Sequence, residues 1–140
     1  MTDPFDLQRF IDAQASVYQR VGVELRHGRK QSHWMWFIFP QLAGLGYSPM
    51  AQRFAISARE EAVAYLGHSI LGPRLRECTA LVNAVKGRTL SEIFVSPDDL
   101  KFTSSMTLFG AVCSDPEFAA AIAKFCGGRP DQKTLDLLAG

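Results

Sequence analysis

The stretch Ile70-Leu71-Gly72-Pro73-Arg74-Leu75-Arg76-Glu77-Cys78-Thr79-Ala80-Leu81-Val82-Asn83-Ala84-Val85-Lys86-Gly87 sets the fold class of this chain. Within it Leu71, Leu75, Cys78, Val82 and Val85 follow one another at steps of four, three, four and three residues. That is the spacing of one apolar stripe on an α-helix. Gly87 stands where such a helix would stop, because glycine takes the left-handed cap conformation at no steric cost. A half-buried strand would need apolar residues at every second position, and no part of the sequence keeps that alternation between turn signals. The expectation is all-α: a compact multihelical single domain over residues 1–140, without a linker, built from roughly seven helices.

The same punctuation recurs on both sides. Asp3-Pro4 pairs a capping acceptor with a proline at a first helical position, opening a helix to about His27-Gly28 along Phe10, Val17, Val21 and Leu25. Gly22 and the polar Gln14-Ala15-Ser16 leave open whether that helix is broken in two. Ser57-Ala58-Arg59-Glu60 and Thr89-Leu90-Ser91-Glu92 read as capping boxes, in which a hydroxyl and a glutamate satisfy two otherwise unpaired backbone N–H groups. Ser96-Pro97-Asp98-Asp99 opens a helix to about Cys113 with Phe102, Met106 and Phe109 inward. Asp115-Pro116 opens the next, which stops at Gly127-Gly128, and Asp131 caps a last short one.

Composition narrows the class. In 140 residues, 47% hydrophobic and 21% charged, there is material for one buried core. Fifteen basic against 14 acidic residues leave a net charge of +1, without the basic excess of a dedicated nucleic-acid binder. Cys78, Cys113 and Cys126 are an odd number with no C-x-x-C spacing, which argues against a disulfide framework and against a metal site. The longest apolar run, Trp34 to Phe39, ends at Pro40, far short of the roughly 20 residues of a membrane span. Met1 to Phe10 carries Asp3 and Asp6 where a secretory leader would be basic and then apolar, so a cytoplasmic protein is expected.

Charge is unevenly placed. Arg20, Arg26, Arg29, Lys30, Arg53 and Arg59 face a single acid, Glu24, within one block, and from Gln31 to Met50 no residue carries a formal charge. Such a stretch is either core or the wall of a pocket with a basic mouth. At its centre lies Ser32-His33-Trp34-Met35-Trp36-Phe37-Ile38-Phe39-Pro40-Gln41. Side chains two apart on a helix diverge by about 200°, so Trp34 and Trp36 cannot both face one core. Either they fill two layers of packing, or an indole lines a crevice in which a ligand stacks while Arg29 or Lys30 meets its phosphates. His33 is then the candidate for proton transfer, the alternative being a hydrogen-bonded structural imidazole. Downstream, Lys101-Phe102-Thr103-Ser104-Ser105 sets an amine and two hydroxyls one helical turn apart. Serine activated by lysine requires a desolvated amine; otherwise such hydroxyls bond back to the preceding turn. The candidate catalytic residues are therefore His33, Lys101 and Ser105, and the candidate ligand-binding residues Arg29, Lys30, Trp34, Trp36, Gln41 and Ser104. No cofactor is implied.

The aromatic decapeptide, with Gly44-Leu45-Gly46, Leu71-Gly72-Pro73-Arg74-Leu75 and Lys101-Phe102-Thr103-Ser104-Ser105-Met106-Thr107-Leu108-Phe109, resembles a small bacterial family, the domain of unknown function eighteen-ten. The resemblance covers nearly the whole chain and implies a mainly helical cytosolic protein of no established activity. Members sometimes carry the label calpastatin, which implies inhibition of a calcium-dependent protease. Calpastatin is long, disordered and repetitive, unlike this short capped chain. A fainter likeness, through the aromatic segment, Glu61-Ala62, Gly67 and Lys101-Phe102, is to helical N-glycosidase domains that act on ADP-ribose and riboflavin-pathway intermediates. His33 stands where those domains carry an acid. Together these readings favour binding, with hydrolysis as a further expectation, of a phosphorylated or nucleotide- or ADP-ribose-like small molecule in a pocket between the Ser32–Gln41 and Lys101–Thr107 segments. The competing reading is a protein-interaction or homodimerisation module, because Trp, Phe and Met are enriched in interface cores.

Overall fold

The computed structural model describes residues 3–140; Met1 and Thr2, within the segment read above as lacking a leader pattern, lie outside the described residues. Among the described residues there are ten helices: α1 (Gln8–Gln14), α2 (Tyr18–Arg26), α3 (Met35–Ile38), α4 (Pro49–Arg53), α5 (Arg59–Gly67), α6 (Leu71–Asn83), α7 (Leu90–Phe94), α8 (Asp98–Val112), α9 (Pro116–Phe125) and α10 (Gln132–Ala139). The all-α expectation holds and the count of seven does not. The first helix breaks at Ala15–Val17, and two short helices are added, α3 inside the uncharged stretch and α4 across its end. Single turns of this kind have too little period to register in a sequence, and packing rather than propensity holds them. The nearest thing to a sheet is one isolated parallel bridge, Leu42 to Ile56.

α8 is the central helix, packed by α5, α7, α9 and α10. Phe102 and the run Ser104 to Phe109 are all buried, so it is covered on several sides rather than along one stripe. α6 packs against α2, α5 and α9 with Leu71, Leu75, Cys78 and Val82 inward, the stripe read from the sequence. Aromatic rings fill the space between helices. Phe39 meets Phe94 and Phe102 edge to face at 5.9 and 5.0 Å between centroids, the offset geometry that ring quadrupoles favour.

Caps match the residues only in part: α1 begins at Gln8 rather than at Pro4, and Pro97, not Ser96, stands at the N-cap of α8, with no side-chain bond. Asp3 accepts from the backbone of Leu7 and Gln8, Thr89 and Glu92 close a full capping box, and Asp131 accepts from Thr134. At α5, however, the glutamate that reaches back is Glu61 rather than Glu60. It accepts from both the backbone and the hydroxyl of Ser57. Glu61 is held there by Arg9, whose guanidinium lies 2.9 Å from it and also donates to the carbonyls of Arg53 and Ala55. Glycine is obligatory at Gly72, where a Cβ would stand 2.1 Å from the Leu66 carbonyl oxygen. Gly28 ends α2 at φ +68°, as a left-handed cap requires.

The decisive local feature is Glu24, an acid on α2 that is only 5% exposed. Its carboxylate accepts from the backbone N–H groups of Gln31 and Ser32 at 2.7 and 3.0 Å, from the Ser32 hydroxyl, and from the Trp34 indole N–H at 3.0 Å. Burial acts to raise its pKa, but these hydrogen bonds outweigh it and hold the carboxyl below the usual glutamate range. A group whose folded pKa is depressed contributes stability that is present above its unfolded pKa and lost as pH falls through the folded value. Glu24→Gln should therefore cost about 2–4 kcal/mol at neutral pH, and the difference from the native protein should shrink in urea melts as pH falls below about 4.3. Gly72→Ala should lower the melting temperature as well, because the backbone contact at Leu66 cannot yield without moving α5 from α6.

Candidate functional site

The turn that Glu24 anchors carries the candidate residues to α8. Its next contact is Lys30, whose backbone N–H donates to the Ile93 carbonyl at 2.7 Å and whose ammonium lies 2.9 Å from Asp98, at the start of α8. The other oxygen of Asp98 lies 3.5 Å from Lys101. One carboxylate thus serves two lysines. Each ammonium also sits over an indole face: Lys30 is 5.1 Å from the Trp34 ring and Lys101 5.2 Å from the Trp36 ring, a separation at which the ring quadrupole attracts a cation.

The two tryptophans occupy different layers, as their separation requires. Trp34 is wholly buried, so its face is closed to any ligand and it is a core residue. Trp36 is half-buried with Lys101 on its ring. Lys30 has only 8% of its side chain exposed and is spent on Asp98 and Trp34. Arg29 and His33 are exposed and stand apart from the cleft described next.

That cleft, of about 240 Å³, lies between the Gln41–Gly46 segment and α8 and is lined by Gln41, Leu45, Leu100, Lys101, Ser104, Asp131 and Lys133, among others. Gln41, Lys101 and Ser104 come together there as the sequence reading proposes. Ser104 bonds back to the Leu100 carbonyl at 3.1 Å and donates to Asp131 at 2.9 Å. The Asp131 backbone N–H donates to the Thr107 hydroxyl at 2.8 Å. These bonds fix the floor of the cleft. Ser105 is on the other side of α8. It is fully buried and its hydroxyl has no hydrogen-bond partner, so no Ser105–Lys101 pair forms.

At Cys78 burial pushes the thiol up to about 12, so it stays neutral at physiological pH. Sequence reasoning missed the residues that organise this region. Asp98 reads as a helix-terminal acid, although it is the ion-pair centre. Asp131 reads only as a cap, and Lys133 gives no signal. Glu24 had a legible mark, as the sole acid of its basic block.

Fold and cleft together define an all-helical protein with a small, lysine-lined cleft. The chain belongs to the family described as protein of unknown function (DUF1810), which matches residues 4–138. It is similar, at 60% identity over 99% of each chain and with a TM-score of 0.97, to a crystal structure of the conserved hypothetical protein Rv1873 from Mycobacterium tuberculosis. No curated protein matches. No helix among the described residues is long and apolar enough to cross a membrane.

Two substitutions separate the organising residues from the bystander. Ser105→Ala removes an unsatisfied hydroxyl and should leave stability unchanged or slightly raised. Asp98→Ala leaves Lys30 largely buried without its counter-ion and should cost about 2 kcal/mol. Equilibrium urea unfolding of the two variants beside the native protein measures both.

Proposed function

We propose that this protein binds a small anionic molecule, carrying a phosphate or carboxylate, in the cleft between Gln41 and Lys133. The observation that carries the reading is that Gln41 and Lys101, sixty residues apart in the chain, line one concave site with Lys133 added from α10. Lys101 and Lys133 supply donors and positive charge, and Gln41 and Ser104 supply orienting polar groups. Leu45, Pro97 and Leu100 exclude water. The volume of about 240 Å³ suits a phosphate group on a small carrier and is below the roughly 300 Å³ at which drug-sized ligand pockets begin. A nucleobase would also find Trp34 closed and the Trp36 face taken by Lys101. Binding is favoured over hydrolysis, because His33 and Ser105, the residues nominated for proton transfer and attack, lie outside the lining.

A second reading has its own support. Leu100 on the cleft wall is 64% exposed, Val95 five residues before it is 61% exposed, and Tyr47, next to the lining residue Gly46, is 75% exposed. Val95, moreover, holds φ 64°, which is strained for a β-branched residue and clusters at functional segments. An interaction surface or homodimer contact on this rim would use those side chains.

Calorimetric titration with inorganic phosphate and a series of small phosphorylated and carboxylated compounds tests the first reading. Lys101→Ala and Lys133→Ala should each weaken binding about tenfold, the equivalent of about 1.4 kcal/mol, while His33→Ala and Arg29→Ala leave it unchanged. Sedimentation equilibrium tests the second. Association abolished by Leu100→Asp, together with an absence of anion binding, would transfer the function to the rim.

A further inference from the structure

The cleft of the proposed function also holds a group that a simple anion does not use. Asp131 lines it together with Lys101 and Lys133, and the two oxygens of its carboxylate are employed unequally. Oδ2 accepts from the Ser104 hydroxyl at 2.9 Å, from the Thr134 hydroxyl and from the Thr134 backbone N–H. Oδ1 accepts from nothing among the described residues. Side-chain oxygens that are buried and unpaired belong to Ser105, to Glu117, and to Asn83, whose amide ties α6 to α9 by donating to the Glu117 carbonyl at 3.0 Å. Those three are closed to solvent. Asp131 is half-buried and its Oδ1 is not one of them, so this oxygen is open to water in a residue that lines the cleft.

Opposite charges on one small cleft tend to close into an ion pair, but here they are held apart. No ion pair among the described residues includes Asp131. Three donors on Oδ2 fix its carboxylate in place. Lys101 is drawn instead to Asp98, at 3.5 Å, and lies over the Trp36 ring. Lys133 stands two residues beyond Asp131 at the head of α10, and side chains two apart on a helix do not face each other. Around the cleft three lysines, Lys30, Lys101 and Lys133, stand against two aspartates, Asp98 and Asp131, which leaves a net charge of only +1. An anion that turns nothing but acceptors to this lining meets Oδ1 as a like charge.

We infer that the ligand of this cleft is a small zwitterion, with an ammonium on the same short carrier as its phosphate or carboxylate, an inference that rests on the anion-binding reading above. Its anionic end meets Lys101 and Lys133, and its ammonium donates to Asp131 Oδ1. Aminoalkyl phosphates and amino acids form the chemical class, and a cleft of about 240 Å³ suits their size. Asp131 is then the residue that sets specificity. Its free oxygen is oriented before any ligand arrives, so little ordering is lost on binding, and it discriminates by attracting the amino compound and repelling the same compound without its amine.

Calorimetric titration with matched pairs tests this: O-phosphoethanolamine against ethyl phosphate, and β-alanine against propionate. In at least one pair the amino compound should bind about tenfold or more tighter than its counterpart. Asp131→Asn should bring the members of that pair to within about twofold, because asparagine still caps α10 and still accepts from Ser104 and Thr134 but carries no charge. Asp131→Ser, which caps through a hydroxyl, gives the same comparison should the asparagine variant not fold. Lys101→Ala should weaken both members by similar factors and preserve the preference. An amino compound that binds no tighter than its counterpart in either pair, or a preference that survives both Asp131 variants, would overturn the inference and leave the anion reading standing. Binding of none of the four compounds would remove the anion reading, and the inference with it.

Discussion

The buried carboxylate of Glu24 is the constraint on which this structure turns. A carboxylate removed from water is costly unless its lone pairs are met, and here two backbone amides, a hydroxyl and an indole meet them. The result is a clamp rather than an ion pair. Three residues of one turn are drawn onto α2, and the Trp34 indole is pulled fully into the core. Once Trp34 is fixed, Met35 to Ile38 form a single helical turn against the interior, and Phe39 enters the aromatic cluster with Phe94 and Phe102.

The clamp also decides what the basic residues can do. With the turn held, Lys30 is carried over Trp34 to Asp98, and the same carboxylate reaches Lys101. Charge that looks in the sequence like a basic rim is divided. Lys30 is absorbed as a structural tie between the turn and α8, whereas Lys101 remains partly open to the cleft. Arg9 is absorbed in the same way at the other end of the fold, where Glu61 and two loop carbonyls take its donors. Buried carboxylates thus act as joints between helices too short to be stable alone. Lys101 and Lys133 are the lysines that line the cleft beside Gln41.

The substitution of Glu61 for Glu60 at the head of α5 shows how far local rules carry. A serine followed three residues later by glutamate is a sound signature, yet Arg9 lies 2.9 Å from the next glutamate, and the long-range ion pair chose between two adjacent acids. The break in the first helix has a related cause. Gln14 is buried and donates to the Phe37 carbonyl, while its side-chain oxygen accepts from Arg74. A polar residue that reads as a surface or breaker position is instead a bridge to α3 and α6.

What the amino-acid sequence determined by itself was therefore of local origin. It determined the helical class, the stripe of α6, the caps at Thr89 and Asp131, the helix start at Pro116, the glycine stop at Gly28, and the segregation of Trp34 from Trp36. Each follows from backbone geometry within one or two turns, which a chain carries wherever it folds. Only the tertiary structure decided that Trp34 is core, that Lys30 is spent, and that Ser104 rather than Ser105 faces Gln41. The same holds for the pairing of Asn83 with Glu117 across two helices. Those outcomes depend on which buried polar groups find partners from distant segments, and that competition is settled only when the helices pack.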